Sequence, residues 1–234
     1  MSLVPEFDAG AMYLALDTSG PVGSVAVSSG AEVLARGVLR RPAEHASGLV
    51  PAIAAVLDDC GVDRSELCGL VVGEGPGSFT GVRVAAATAK GLSLALDLPL
   101  WAISSLGAAA LAIDSGALRY ALFDARAERI YGACYRVGPA GVETLRPPHA
   151  GELREVLAGD VPAGSVFVGE AAEKHRVVIE GFGFEVVTTG MDTSLADGLV
   201  RYLGLHPDTP PIQDVGGWEP RYVRASSAER LWPT

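Results

Sequence analysis

Basic residues are scarce: 18 Lys plus Arg face 28 Asp plus Glu, a formal net charge of −10. That balance excludes autonomous nucleic-acid binding, because a basic face that neutralises phosphates supplies most of such affinity. Charge of either sign is also scarce, 20% of residues against a typical ~25%. Hydrophobic residues make up 49%, so core material is ample and intrinsic disorder is excluded. A surface this poor in charge is partly apolar or partly covered by something else. Cysteine is limited to Cys60, Cys68 and Cys134, with neither zinc-ribbon nor Cys-x-x-Cys spacing. Buried free thiols in a reducing cytoplasm are the expectation. The four histidines, His45, His149, His175 and His206, form no His-x-x-x-His or His-Glu-x-x-His pair, so no catalytic metal is expected. There is no Gly-x-Ser-x-Gly elbow. With no nucleophile–base set and no metal site, a protease is set aside. The apolar stretch Leu92 to Ile113 is broken by Asp97 and Pro99, so no membrane span is expected. Met1 to Gly10 holds two acids and no base, unlike a signal peptide, and Met1-Ser2-Leu3 is compatible with an expression-vector leader.

What is present reads as alternating strands and helices. Tyr13 to Asp17, Gly23 to Val27 and Ala31 to Leu39 predict an opening β-meander. Leu49, Ile53, Val56, Leu57 and Cys60 recur at helical spacing, predicting a helix over 47–60 with Ser47 as cap, Pro51 near its first turn and Gly61 as its stop. Leu67 to Val72 is a strand, Val82 to Leu96 a helix and Leu100 to Ile103 a strand, with a new helix from about Ser105. In the second half, Leu118 to Asp124 and Arg129 to Val137 form a hairpin. Helices are expected over 151–157, 170–180 and 193–203, strands over 166–168 and 184–187, and a proline-rich extended tail after His206. The result is an α/β chain with mixed sheets, an N-terminal lobe over 12–103, a smaller C-terminal lobe over 104–225, and extended ends at 1–11 and 226–234. The two halves share their element order loosely, which hints at duplication.

Three features could carry chemistry. Asp17, Thr18 and Ser19 close the first strand. An acid and two hydroxyls at a hairpin turn can hold a phosphate and order the waters of its metal, and the same residues also make ordinary turns. Gly75-Pro76-Gly77-Ser78-Phe79-Thr80-Gly81-Val82-Arg83 lies between a strand and a helix N-terminus, a ready anion site or simply a tight turn into a closely packed helix. It lacks the Gly-Lys-Ser/Thr end of a Walker A loop and the spacing of a dinucleotide fingerprint. The third feature is the following helix, apolar on both faces, with only Arg83 and Lys90 as a polar stripe. Val84, Ala87, Gly91 and Ala95 line one face, and Val50 and Ala54 occupy the preceding helix. One face of each helix is expected on the sheet and the other against a partner. Asp124, Arg126, Glu128 and Arg129 read as a solvated turn, and Glu44-His45 as solvent-facing residues before a helix.

The stretches Leu14 to Ser19, Glu44-His45 through Ile53, and above all Gly75 to Arg83 resemble the bacterial TsaB (YeaZ) family. Asp124-Ala125-Arg126 followed by Ile130-Tyr131 agrees, and Pro220 to Arg224 agrees weakly. The resemblance runs from about Tyr13 onward. It implies the two-lobed α/β fold of actin-like ATPases, sugar kinases and heat-shock chaperones (ASKHA). It also implies a role in making threonylcarbamoyladenosine beside the tRNA anticodon, as a cytoplasmic, non-catalytic, glycoprotease-like subunit. Its implied partners are a TsaD-like transferase paralogue, a TsaE-like ATPase and a second copy of itself. Asp17, Thr18 and Ser19 would be the relic of a phosphate loop. No cofactor is implied for the chain alone, with a nucleotide reserved for the complex interface. The alternative is an ATPase or phosphotransferase using Asp17 to Ser19.

Overall fold

A computed structural model describes residues 6–114, 116–126, 128–139, 141–188 and 193–223. Residues 1–5, Met1-Ser2-Leu3 among them, and the tail beyond Val223, which includes the family-like Arg224, lie outside it. The first half runs β1 (Met12–Asp17), β2 (Gly23–Ser29), β3 (Glu32–Leu39), α1 (His45–Cys60), β4 (Leu67–Gly73), α2 (Phe79–Leu96), β5 (Leu100–Ile103) and α3 (Ser105–Leu111). The second runs β6 (Leu118–Asp124), β7 (Arg129–Gly138), β8 (Gly141–Glu152), α4 (Leu153–Ala158), β9 (Val166–Val168), α5 (Glu170–Lys174), α6 (Arg176–Gly181), β10 (Glu185–Val186) and α7 (Leu195–Leu205).

The two sheets have one topology. The first has the order β3-β2-β1-β4-β5 and the second β8-β7-β6-β9-β10. In each, the opening strand pairs antiparallel with the second and parallel with the fourth. This is the two-lobed α/β architecture expected, and it turns the loose hint of duplication into a strand-by-strand match.

Side-chain parity sets the layers, since alternate strand residues face opposite ways. Leu14, Leu16, Val25, Val27, Leu70, Val72 and Leu100 face outward onto α1 and α2. Ala15, Ala26, Val71, Trp101 and Ile103 face inward. In the second sheet, Ala121, Phe123, Ala133 and Tyr135 face inward, whereas Tyr120, Leu122, Ile130 and Cys134 turn toward α4, α5 and α6. Helices α3 and α7 fill the space between the sheets. They cross so closely that a Cβ on Gly198 would sit 2.0 Å from the Ala108 carbonyl oxygen.

The strands of the two sheets fall on either side of residues 103/104, but the packing does not divide there. α7 returns to the first sheet: the Ala196 N–H donates to Ser24 Oγ (3.0 Å), and Asp197 pairs with Arg36 (3.0 Å). The tail then straps the first lobe. The Ile212 N–H donates to the Leu100 carbonyl (2.8 Å) and Trp101 Nε1 to the Thr209 carbonyl (2.8 Å), while Ile212, Val215 and Trp218 cover the outer core.

Five sequence expectations change. α1 starts at His45, with Glu44 as its N-cap, so Ser47 is internal; Pro51 lies inside the helix without ending it. α2 starts at Phe79, because Ser78 Oγ caps it by accepting from the Gly81 N–H (3.3 Å). The helix expected over 170–180 breaks at His175 into α5 and α6, and β8 replaces the start of the helix expected over 151–157. Of the three thiols only Cys134 is buried; Cys60 is half-buried and Cys68 exposed.

The α3–α7 crossing yields a prediction with an informative sign. In an open helix Gly→Ala stabilises by about 1 kcal/mol. Gly198→Ala should instead destabilise by roughly 1–3 kcal/mol, because the added methyl meets backbone. Urea denaturation measures it, and a variant as stable as the parent would refute the close crossing.

Candidate functional site

The two loop motifs form one structure. Asp17 is fully buried at the end of β1. Its Oδ1 accepts from the Ser19 N–H (2.7 Å) and Ser19 Oγ (2.6 Å), and its Oδ2 accepts from Ser105 Oγ (2.6 Å). Thr18 Oγ1 donates to the Gly81 carbonyl (2.6 Å), and the Ser78 N–H donates to the Ser19 carbonyl (2.7 Å). Ser105 Oγ in turn accepts from the Gly75 N–H (3.1 Å). Pro76 is buried behind this contact, while Ser78 and Thr80 remain exposed.

Glycine makes the approach geometrically feasible. A Cβ on Gly73 would lie 1.8 Å from Asp17 Oδ2, one on Gly77 2.5 Å from the Ser19 carbonyl oxygen, and one on Gly81 1.9 Å from that of Thr18. The glycine-rich loop therefore lies directly on the turn after β1. The carboxylate and both hydroxyls of that turn bond to the protein itself. Burial pushes the Asp17 carboxyl above its ordinary range, against the lowering effect of the hydrogen bonds from Ser105 and Ser19.

His45 belongs to the same neighbourhood. Its position before the predicted helix suggests a solvent-facing side chain, but His45 is buried, its ring 3.2 Å from where a Cβ on Gly23 would stand, and Nε2 has no hydrogen-bond partner among the described residues. Its place on the first turn of α1, over the β1–β2 turn, accounts for the burial. Glu44 does stay exposed, paired with Arg41 at 3.1 Å.

The corresponding place in the second lobe is occupied differently. Asp124 ends β6 as Asp17 ends β1. Its carboxylate accepts from the Arg126 N–H (2.7 Å) and pairs with Lys174, and its own N–H donates to Glu170 Oε1 (2.6 Å). Gly169 (φ 98°) passes within 2.5 Å, measured from its would-be Cβ, of the Leu122 carbonyl oxygen. Between the two strand ends lies a cavity of about 190 Å³, lined by Gly20, Pro21 and Val22 on one side and by Gly169, Glu170 and Glu173 on the other. Its lining carries two carboxylates and no basic side chain. Burial raises the Glu170 carboxyl above its ordinary value.

The two apolar helices present the other half of the site. Leu49, Ile53 and Val56 of α1, and Val82, Ala85, Ala86 and Ala89 of α2, go into the core. Outward they leave Val50 (59% exposed), Ala54, Ala87, Gly91, Leu94 (67% exposed) and Ala95, with Val84 half-buried between the helices. Arg83 is exposed and stacks on Phe79, its guanidinium carbon 3.9 Å from the ring centroid, and its Nε donates to the Tyr222 hydroxyl (3.0 Å). Lys90 is bound by the strap, donating to the Gly216 (2.7 Å) and Trp218 (2.8 Å) carbonyls.

Sequence reasoning missed Ser105, which holds the second oxygen of Asp17, and the strap residues Trp218 and Tyr222. Ser104-Ser105 before an apolar helix was a legible cap signal; nothing local linked it to Asp17. Among the described residues no group of three or more His, Cys, Asp or Glu could hold a metal, and no helix is long and apolar enough to cross a membrane.

Comparison with known proteins now adds to the geometry. The family model for TsaD, tRNA N6-adenosine threonylcarbamoyltransferase, matches residues 39–215. The tRNA threonylcarbamoyladenosine biosynthesis protein TsaB of Bacillus subtilis is 30% identical over 228 residues, 94% of this chain and 96% of that protein. A crystal structure from Pseudomonas aeruginosa, of a protein with similarity to peptidase YeaZ, superposes with a TM-score of 0.78 at 25% identity, covering 92% of this chain and 100% of that one. Component A of the Acidaminococcus fermentans (R)-2-hydroxyglutaryl-CoA dehydratase shares the fold alone, with a TM-score of 0.52 at 10% identity over 84% of this chain and 97% of that one.

Asp17 yields a test with a definite sign. Its folded-state pKa is raised above the ordinary 3.8. A raised carboxyl stabilises the fold below its unfolded pKa and loses that contribution as pH rises through the folded pKa. The unfolding free energy of wild type minus that of Asp17→Asn should therefore fall steadily from about pH 4 upward, read by urea titration at several pH values. A pH-independent difference would contradict the burial argument.

Proposed function

The chain belongs to the TsaB (YeaZ-like) family, within the group described by the TsaD model, and from that premise we propose that it is the non-catalytic partner subunit of a TsaD-like transferase in tRNA threonylcarbamoyladenosine formation. One observation carries the reading: the α1/α2 face, rich in Ala, Gly, Val and Leu, is turned outward, with Val50 and Leu94 the most exposed large hydrophobic residues of the first lobe. A contiguous exposed apolar surface marks a docking site, and small residues let a partner's backbone come close. The proposed partner is the transferase paralogue, with a TsaE-like ATPase joining the pair and a second copy of the chain competing for the same face. The cytoplasm is the proposed compartment.

Two further observations support a chain without its own nucleotide chemistry. The Asp17 carboxylate is committed to three internal hydrogen bonds. The lining of the cavity between the strand ends sets the carboxylates of Glu170 and Glu173 against a phosphate, with the Thr193 hydroxyl as a side-chain donor and no cation to offset them. Any nucleotide is therefore proposed at the interface with the partner.

The decisive experiment is co-elution and calorimetry with a TsaD-like transferase, followed by an assay of threonylcarbamoyl transfer with and without this chain. Ala54→Glu and Ala87→Glu should each weaken pairing by about tenfold or more, since each buries an unpaired charge in an apolar contact. Both should fold with stability within about 0.5 kcal/mol of wild type, because the sites are exposed in the free chain. Undiminished pairing of both variants would refute the docking face. Micromolar binding of ATP with magnesium by the isolated chain, together with turnover, would instead promote the phosphotransferase alternative.

A further inference from the structure

The cavity between the strand ends has a lining of two kinds. Pro21, Val22, Ala109, Phe123 and Leu195 make most of it apolar. Its charged groups are Glu170 and Glu173, neighbours at i and i+3 on α5 and both half-buried. Glu170 is held in place, because its Oε1 accepts from the Asp124 N–H (2.6 Å) and Gly169 before it lies against the Leu122 carbonyl. Lys174 is engaged by the Asp124 carboxylate, and no basic side chain stands among the described lining residues. Acids in a first turn suit a helix dipole, but α5 has only five residues. Like charges at this spacing repel, and more strongly where water is thin. Burial raises the Glu170 carboxyl, and the charges of Asp124 and Glu173 add to the effect. A bound cation relieves all of this at once.

The rest of the lining says which cation. A volume of about 190 Å³ lies below the roughly 300–1,000 Å³ of pockets for drug-sized ligands, so the occupant is small. A hard metal ion prefers six or more oxygen ligands, whereas this lining sets two carboxylates and the Thr193 hydroxyl among apolar side chains. An ammonium group has three donors, and Glu170, Glu173 and Thr193 offer three side-chain acceptors. We propose that the cavity binds a small primary alkylammonium ion, its charged head at Glu170, Glu173 and Thr193 and its hydrocarbon chain along Pro21, Phe123 and Leu195. The charge is recognised by the second lobe and the chain by both, so the ligand bridges the two strand ends. This site goes beyond the pairing reading and does not depend on it; it lies between the sheets and not on the α1/α2 face.

Titration of the nitrogen-labelled full chain with n-butylammonium chloride, followed by amide NMR, tests it. The shifts should saturate with a dissociation constant of about a millimolar, as suits so small a ligand, and the largest should fall at Gly20, Val22, Gly169 and Leu195. n-Butanol, with the same chain and no charge, should bind roughly tenfold more weakly or worse. Glu170→Gln keeps an acceptor for the Asp124 N–H and removes the charge; it and Glu173→Gln should each raise the dissociation constant by about fivefold or more. Glu32→Gln makes the same charge change at an exposed position on β3 and should leave binding unaltered, which separates the cavity from general attraction to an acidic chain. Absence of saturable shifts, shifts spread over the acidic surface, equal binding of n-butanol, indifference to both glutamine variants, or tighter binding of magnesium chloride at the same amides would each overturn the site. Transferase pairing is read separately through the α1/α2 variants, so either reading can fail while the other stands.

Discussion

The contact between the turn after β1 and the glycine loop before α2 fixes the direction of the first lobe's outer layer. Gly73, Gly77 and Gly81 let backbone lie against backbone where any Cβ would collide with Asp17, Ser19 or Thr18. Once that contact is made, the first turn of α2 is pinned by the Thr18 bond to the Gly81 carbonyl. The rotation of the helix about its axis follows. Ala85 and Ala89 then face the sheet, and Ala87 and Gly91 face outward. The loop that could have cradled a phosphate instead orients a surface.

The duplicated topology makes this specialisation visible. Both sheets are built alike, and both central strands end in an acid. In the first lobe that acid is sealed beneath three donors. In the second, Asp124 reaches Lys174 and the Arg126 N–H near the surface. The lobes have also diverged in their outer covers. The first carries α1 and α2, long and apolar on both sides. The second carries the short helices α4, α5 and α6 over a sheet whose edge is the long strand β8. Among the described residues, the outer helices of several turns are α1 and α2 of the first lobe.

Much of this was legible in the sequence, for local reasons. Unbroken apolar runs such as Leu14 to Leu16 and Leu70 to Val72 announced strands buried on both faces. The spacing of Leu49, Ile53 and Val56 announced α1. β8 escaped because Pro147 and Pro148 break its pattern and most of it is only partly buried, as suits an edge strand. The burial of His45, the role of Ser105 and the strap all depend on contacts between residues far apart in the chain, which no local window contains. The outward residues of α1 and α2 were readable because their helices are apolar on more faces than one sheet can cover. The net charge of −10 bears only on autonomous nucleic-acid binding.

The strap has a consequence for how the molecule is made. The first lobe is not a continuous stretch of chain: Ile212 adds to the β5 edge, Trp218 covers the outer core, and Tyr222 braces Arg83. Its sheet and long helices precede the strap in the chain, yet their outer side is closed only when the strap docks. Until then the apolar flank of α2 stands open to solvent, a long-range closure that comes late in folding.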